Sequence, residues 1–120
     1  NFVYGYNFVT VGLIRSLTMG IGASLDAIDQ ENRMTFELKA PKQSTHIGYL
    51  RDGKIPTKYI PQVQGGLMLT GYEKCIFMSY YPGLPPLVIE VYRDERFIEA
   101  LKLDLNYCLG MIDQIYKELV

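Results

Sequence analysis

In the run Thr35-Phe36-Glu37-Leu38-Lys39-Ala40-Pro41 an acidic residue and a lysine stand two positions apart, and a proline closes the run. Strand side chains alternate between faces with period two, so Glu37 and Lys39 point one way and Leu38 the other. A carboxylate beside an ammonium can bind a divalent cation and still offer positive charge to a phosphate or an attacking water. The same pair on a solvated strand is a plain surface ion pair, so its neighbourhood decides. Asp26 lies eleven residues before Glu37, and the polar stretch Gln30-Glu31-Asn32-Arg33 between them suits a hairpin turn. A hairpin of that length sets Asp26 beside Glu37 and Lys39, giving two carboxylates and a lysine in one cluster. Asp29 is the competing carboxylate, but an odd offset of three from Asp26 puts it on the opposite strand face.

The rest of the pattern frames this hairpin. Pro41 stops the strand, and Ser44 or Thr45 is expected to cap a short helix through Leu50 or Arg51. Asp52-Gly53-Lys54 reads as a turn, with Pro56 ending any helix before it. Between Lys58 and Thr70, the residues Tyr59, Ile60, Val63, Leu67 and Thr70 recur at helical spacing, and Pro61 falls in the first turn, where proline is tolerated. Gly65-Gly66 costs this helix about 1 kcal/mol per glycine against alanine, which implies a closely packed neighbour. Gln62 shares a face with Tyr59 and Gln64 points elsewhere; as residue types both are expected to be exposed.

Lys74 to Tyr81 reads as a strand, Pro82-Gly83-Leu84-Pro85-Pro86 as a loop, and Leu87 to Arg93 as a second strand antiparallel to the first. Asp94 then caps a long helix with Glu95 in its first turn. Phe97, Ile98, Leu101, Leu105, Cys108, Leu109, Ile112, Ile115, Tyr116 and Leu119 form one apolar stripe, which core packing explains without a cofactor. The order strand, strand, helix, helix, strand, strand, long helix describes an α+β domain with a mixed central sheet flanked by helices.

A length of 120 residues suits one domain with a real core. The net charge of −1 gives no whole-surface attraction to nucleic acid, so DNA binding would depend on a local basic groove or a bound metal. Cys75 and Cys108 are too far apart for a zinc knuckle or redox dithiol, and both are expected to be buried thiols in a reducing cytoplasm. The uncharged segment 1–14 is too short and too interrupted to span a bilayer, and is expected to pack on the core as a strand or short helix. His46, the single histidine, makes no metal cluster by itself and is expected to be structural. Lys42, Arg51, Lys54 and Lys58 either track a DNA backbone or are scattered surface cations. The first residue is not methionine, as expected of a fragment or a processed chain.

Four blocks in order, Ala23-Ser24-Leu25-Asp26, Glu37-Leu38-Lys39-Ala40-Pro41, Lys58-Tyr59-Ile60-Pro61-Gln62-Val63-Gln64-Gly65 and Ser79-Tyr80-Tyr81-Pro82, resemble the phage λ exonuclease family, also called YqaJ-like viral recombinases, within the PD-(D/E)xK nuclease superfamily. The resemblance runs from about Gly22 to the C-terminus. Leu25 stands where the superfamily motif has a proline, which is not a ligand. Members carry an upstream helix with a further metal-binding glutamate and an arginine for the DNA 5′-phosphate. Neither is placed here, and Arg15 is not assigned that role.

The resemblance implies a restriction-endonuclease-like core forming a single domain over 1–120, without the family's N-terminal helical part. It implies a Mg²⁺-dependent 5′-to-3′ exonuclease, with Mn²⁺ as substitute, acting on ends of double-stranded DNA as a homotrimer beside a single-strand annealing protein. By position, Asp26 and Glu37 would ligate the metal with the Leu38 carbonyl as a third ligand. Lys39 would activate water and stabilise developing charge, and Tyr59 and Gln62 would face the scissile phosphate. Gln64, Lys58 and Lys42 are further expected DNA contacts. Two other readings stand beside this one: an inactive nuclease-fold module for DNA binding or assembly, and a small structural protein whose Glu-x-Lys is a surface ion pair.

Overall fold

The computed structural model describes residues 27–119, and before them the backbone of the strand residues 2–3, 6–7, 9–10, 13–16 and 21–24. Two short antiparallel pairs lie in the N-terminal part, β1 (Phe2–Val3) with β2 (Tyr6–Asn7) and β4 (Leu13–Ser16) with β5 (Ile21–Ser24). The apolar N-terminal run is thus extended where it is described. Its strand β3 (Val9–Thr10) forms the edge of the main sheet by pairing with β6 (Ala27–Asp29).

Among the described residues the main sheet has five strands in the order β3, β6, β7, β8, β9. Strand β7 (Met34–Lys39) is antiparallel to β6 and parallel to β8 (Lys74–Ser79), and β9 (Leu87–Tyr92) returns antiparallel to β8. A parallel pair requires a crossover, here supplied by α1 (Gln43–Asp52), a 3₁₀ turn at Thr57–Tyr59 and α2 (Ile60–Thr70). The architecture is α+β with a mixed sheet, as the order of periodicities predicts.

The polar stretch 30–33 is the turn between β6 and β7, and Asp29 holds it. One Asp29 carboxylate oxygen accepts from the Asn32 backbone N–H at 3.1 Å and the other from the Asn32 amide at 2.8 Å. Arg33 closes the turn at φ 56°, in the left-handed region, and its guanidinium donates to the Gly71 carbonyl just past α2. Asp29 is therefore committed to the turn.

Both faces of β7 are covered from Met34 as far as Glu37. Met34 and Phe36 join Ala27 and Ile76 in one apolar cluster, while on the other face Cys75 and Phe77 of β8 pack with Val63 and Leu67 of α2 and Ile98 of α3 (Glu95–Leu119). The alternation along β8 follows from the strand pleat.

Helix α1 starts at Gln43 with Lys42 as its N-cap residue and no side-chain cap, so Ser44 and Thr45 sit inside its first turn instead of capping it. Both α1 and α2 end on left-handed glycines, Gly53 at φ 64° and Gly71 at φ 73°, whose N–H groups donate to Tyr49 and Leu67. The α2 C-terminus also meets Arg93, which donates to the Leu67 carbonyl at 2.6 Å and the Tyr72 carbonyl at 3.3 Å and pairs with Glu95. A cation suits the negative end of a helix. At Gly65 a methyl group would come no closer than 3.9 Å to Leu101, an ordinary contact, so α3 is a neighbour there without excluding alanine.

His46 is fully buried and ties three segments together. Its Nε2 lies 2.8 Å from the Pro85 carbonyl, which can only accept, so Nε2 donates there, and Nδ1 shares a second hydrogen bond with the Ser79 hydroxyl at 2.8 Å. The histidine is structural, as expected, and fixes α1 against the end of β8 and the following loop.

Asp94 caps α3 as expected, accepting from the Phe97 N–H at 3.1 Å. The apolar stripe behaves differently from the expectation. Ile98 is buried, Leu101, Leu105 and Leu109 are half-buried, and Ile112, Ile115, Tyr116 and Leu119 are exposed. Cys108, expected to be buried, is exposed, and Cys75 is buried. Helix length explains this: 11 residues of α2 span roughly 16 Å and 25 residues of α3 roughly 37 Å, so α3 outruns its support. Among the described residues no helix is long and apolar enough to cross a membrane.

Candidate active site

The carboxyl ends of β7 and β8 lie together because the strands are parallel, with Glu37 opposite Phe77 and Lys39 opposite Ser79. In open sheets with parallel strands this edge is where ligands gather. Glu37 and Lys39 share the face covered by α2, and Gln62, in the first turn of α2, reaches down to both. The Lys39 ammonium donates to Gln62 Oε1 at 3.0 Å, and Gln62 Nε2 donates to Glu37 Oε2 at 3.2 Å. One amide thus orients a cation and an anion two residues apart on the same strand.

Glu37 is only 2% exposed. A carboxylate so deep in the sheet is not half of a solvated surface pair, which removes the reading of Glu-x-Lys as a surface ion pair. Leu38, between them, is on the other face and 44% exposed.

Tyr59 forms the wall of the site. Its ring packs on buried Phe77 with centroids 5.5 Å apart, and Tyr49 of α1 meets it edge-on at 6.4 Å. The ammonium of Lys39 lies 4.8 Å from the Tyr59 ring centroid and that of Lys58 5.0 Å, both within cation–π range. The Tyr59 hydroxyl is held below its ordinary range, chiefly by the adjacent Tyr49 hydroxyl and further by Lys58 and Lys39, against the opposing effect of burial. Burial pushes the Tyr49 hydroxyl up, with Tyr59 adding to the effect and Lys58 opposing it.

The structure therefore brings Glu37, Lys39, Gln62, Tyr59 and Lys58 together. Asp26, the second carboxylate of the expected cluster, lies outside the described residues, as does Leu25. Lys42 is exposed at the start of α1.

Gln64 belongs elsewhere, and its expected place among the DNA contacts needs correction. It is buried, donates through Nε2 to the Tyr92 carbonyl at 3.0 Å and accepts through Oε1 from the Asp94 N–H at 3.0 Å. Two residues along a helix turn the side chain about 200° from Gln62, toward the β9–α3 junction. Gln64→Ala should cost about 1–3 kcal/mol in denaturant unfolding, since it empties a buried position and strips partners from two part-buried backbone groups, and leave DNA affinity unchanged. A loss of DNA affinity with unaltered stability would restore it to the binding surface.

Tyr49 was not singled out by the sequence. It reaches Tyr59 across the Gly53 turn and Pro56, and a separation of ten residues across a loop has no periodic signature.

Among the described residues no three of His, Cys, Asp and Glu converge on one point. His46 is engaged by Ser79 and Pro85, so among the described residues of the site Glu37 supplies the carboxylate oxygens. Hard oxygen donors match Mg²⁺ or Mn²⁺ in type.

Comparison with known families matches residues 3–73 to the YqaJ-like viral recombinase domain. Two solved structures are similar over the whole fold: an alkaline exonuclease, LHK-Exo, from Laribacter hongkongensis, and LHK-Exo in complex with dAMP. Each is 30% identical with a TM-score of 0.89, over 97% of this chain and 62% of the other. The chain thus spans less than two thirds of the length of these solved relatives. No match is found among curated proteins.

Proposed function

The chain belongs to the YqaJ-like viral recombinase family, and from that premise we propose that it is a metal-dependent nuclease that shortens linear double-stranded DNA from the 5′ end during recombination. The observation that carries this reading is the Glu37–Gln62–Lys39 chain at the carboxyl edge of the parallel strands, walled by Tyr59. The likeness to an alkaline exonuclease supports it, and the complex of that enzyme with dAMP supports a deoxynucleotide as ligand.

In this reading Glu37 and Asp26 hold Mg²⁺, or Mn²⁺ in its place, with the Leu38 carbonyl as a further oxygen donor. When bound, the ion supplies Lewis acidity, lowering the pKa of water and offsetting charge on the phosphate. Lys39 orients the attacking water and stabilises the negative charge that develops on the phosphoryl oxygens. Gln62 keeps the lysine and carboxylate in register, because movement of either breaks one of its two hydrogen bonds. The Tyr59 ring faces the scissile phosphate as a wall of the site. The proposal extends, on family grounds, to a homotrimer acting beside a single-strand annealing protein.

The test is shortening of end-labelled linear duplex DNA. Shortening with Mg²⁺ or Mn²⁺ that a chelator stops, with 5′-phosphorylated ends preferred over closed circles, is the expected result. DNA binding without cleavage under every divalent ion tried would assign the chain to the inactive module instead.

A further inference from the structure

Resting on the nuclease reading, we propose that Tyr49, Tyr59 and Lys58 form a second phosphate subsite, holding a phosphate group next to the one processed at Glu37, Lys39 and Gln62. Three observations converge on this corner. Lys39 and Lys58 both lie within about 5 Å of one aromatic ring, and among the described residues neither takes part in an ion pair. Two ammonium groups this near one ring both act on an anion placed at its polar edge, since Coulomb attraction falls off only as the inverse of distance.

The second observation is the donor balance. The Tyr49 hydroxyl is buried and makes no hydrogen bond of standard geometry, although it lies against the Tyr59 hydroxyl and the Lys58 ammonium. The corner therefore offers two hydroxyl protons and an ammonium, and a phosphate only accepts.

The third is what the packing leaves free. The Tyr59 ring is occupied by the two ammoniums, by Phe77 and by the edge of Tyr49, so its hydroxyl, not a stacking face, is presented. Lys58 is exposed, which opens the corner to solvent, while Gly53 and Pro56 fix the loop that brings Tyr49 to Tyr59.

The ligand chemistry is a phosphate monoanion or dianion, from either an internal phosphodiester of the strand or a lone phosphate. Binding of the full chain to a short fluorescein-labelled duplex is measured by anisotropy in chelator across a salt series, so that no cleavage step enters. Lys58→Gln is expected to flatten the slope of log K against log salt by about 0.9, the value for one lost phosphate contact. Tyr49→Phe is expected to weaken binding about tenfold while keeping the slope, as for one hydrogen bond to a charged group. If Tyr49→Phe melts the fold, the surface change Lys58→Gln carries the test.

Inorganic phosphate is then added as competitor. Displacement of DNA from the wild-type chain but not from Lys58→Gln identifies a lone phosphate as the occupant, and no displacement identifies the phosphodiester; both support the subsite. Equal slope and affinity in wild type and Lys58→Gln, or no binding by the wild type, overturns it. Failure of the nuclease reading shows separately, as intact DNA with Mg²⁺ present and these binding differences unchanged.

Discussion

Glu37→Gln is expected to reduce divalent-ion-dependent DNA shortening by about 10³-fold or more, with the folded chain intact. The change is isosteric and keeps an oxygen for the Gln62 amide to donate to at Oε2, but removes the negative charge that a hard cation requires. Loss of a single stabilising group at a phosphoryl or acyl centre already costs about 10²–10³ in turnover, and loss of a metal ligand removes the nucleophile's activation as well. Stability should hold or rise, because Glu37 is buried and an amide is cheaper to desolvate than a carboxylate. The measurements are turnover on end-labelled duplex, Mn²⁺ titration by calorimetry and a thermal melt. Undiminished cutting by a folded Glu37→Gln chain would overturn the assignment of Glu37 as a metal-holding carboxylate.

Phe77→Ala should give the largest loss of stability, about 3–5 kcal/mol, the range for emptying an aromatic position in a close-packed core. Phe77 is fully buried among Val63, Leu67, Cys75 and Ile98, and its ring carries that of Tyr59 at 5.5 Å. Against a total of about 5–15 kcal/mol for a domain, the loss lowers the melting temperature by roughly 10–20 °C. Leu103→Ala is the matched control: Leu103 is 70% exposed on α3, so its loss should stay within about 0.5 kcal/mol. Equal destabilisation by the two changes would show that the exposed face of α3 at Leu103 is packed after all. A buried aromatic that also supports a wall of the site couples stability to the chemistry there.

Particular residues show what kind of inference a sequence permits. Glu37 and Lys39 were placed on one face because pleat parity is local and admits no other answer once the run is extended. Gln62 joined them through a helix whose spacing was equally legible. Gln64 shows the limit. Its residue type suggests exposure, yet it is buried with both amide atoms engaged at the β9–α3 junction, and nothing within the helix announces a partner nearly thirty residues away. The stripe on α3 fails for the related reason that periodicity reports which residues share a face and not how far a neighbour extends along it. Cys108 is exposed for the same reason, since it lies on the stretch of α3 beyond the length of α2.

By itself the amino-acid sequence determined the order and type of the elements, the α+β class, the turn at 30–33 and the shared face of Glu37 and Lys39, because each rests on backbone rules that act within a few residues. Only the tertiary structure decided that Gln62 bridges those two side chains, that Tyr49 meets Tyr59, that His46 locks α1 to Ser79 and Pro85, and that α3 runs bare beyond its neighbour. These contacts join segments far apart in the chain, and their geometry depends on how long each element is and how the crossover closes over the sheet, which no local pattern encodes.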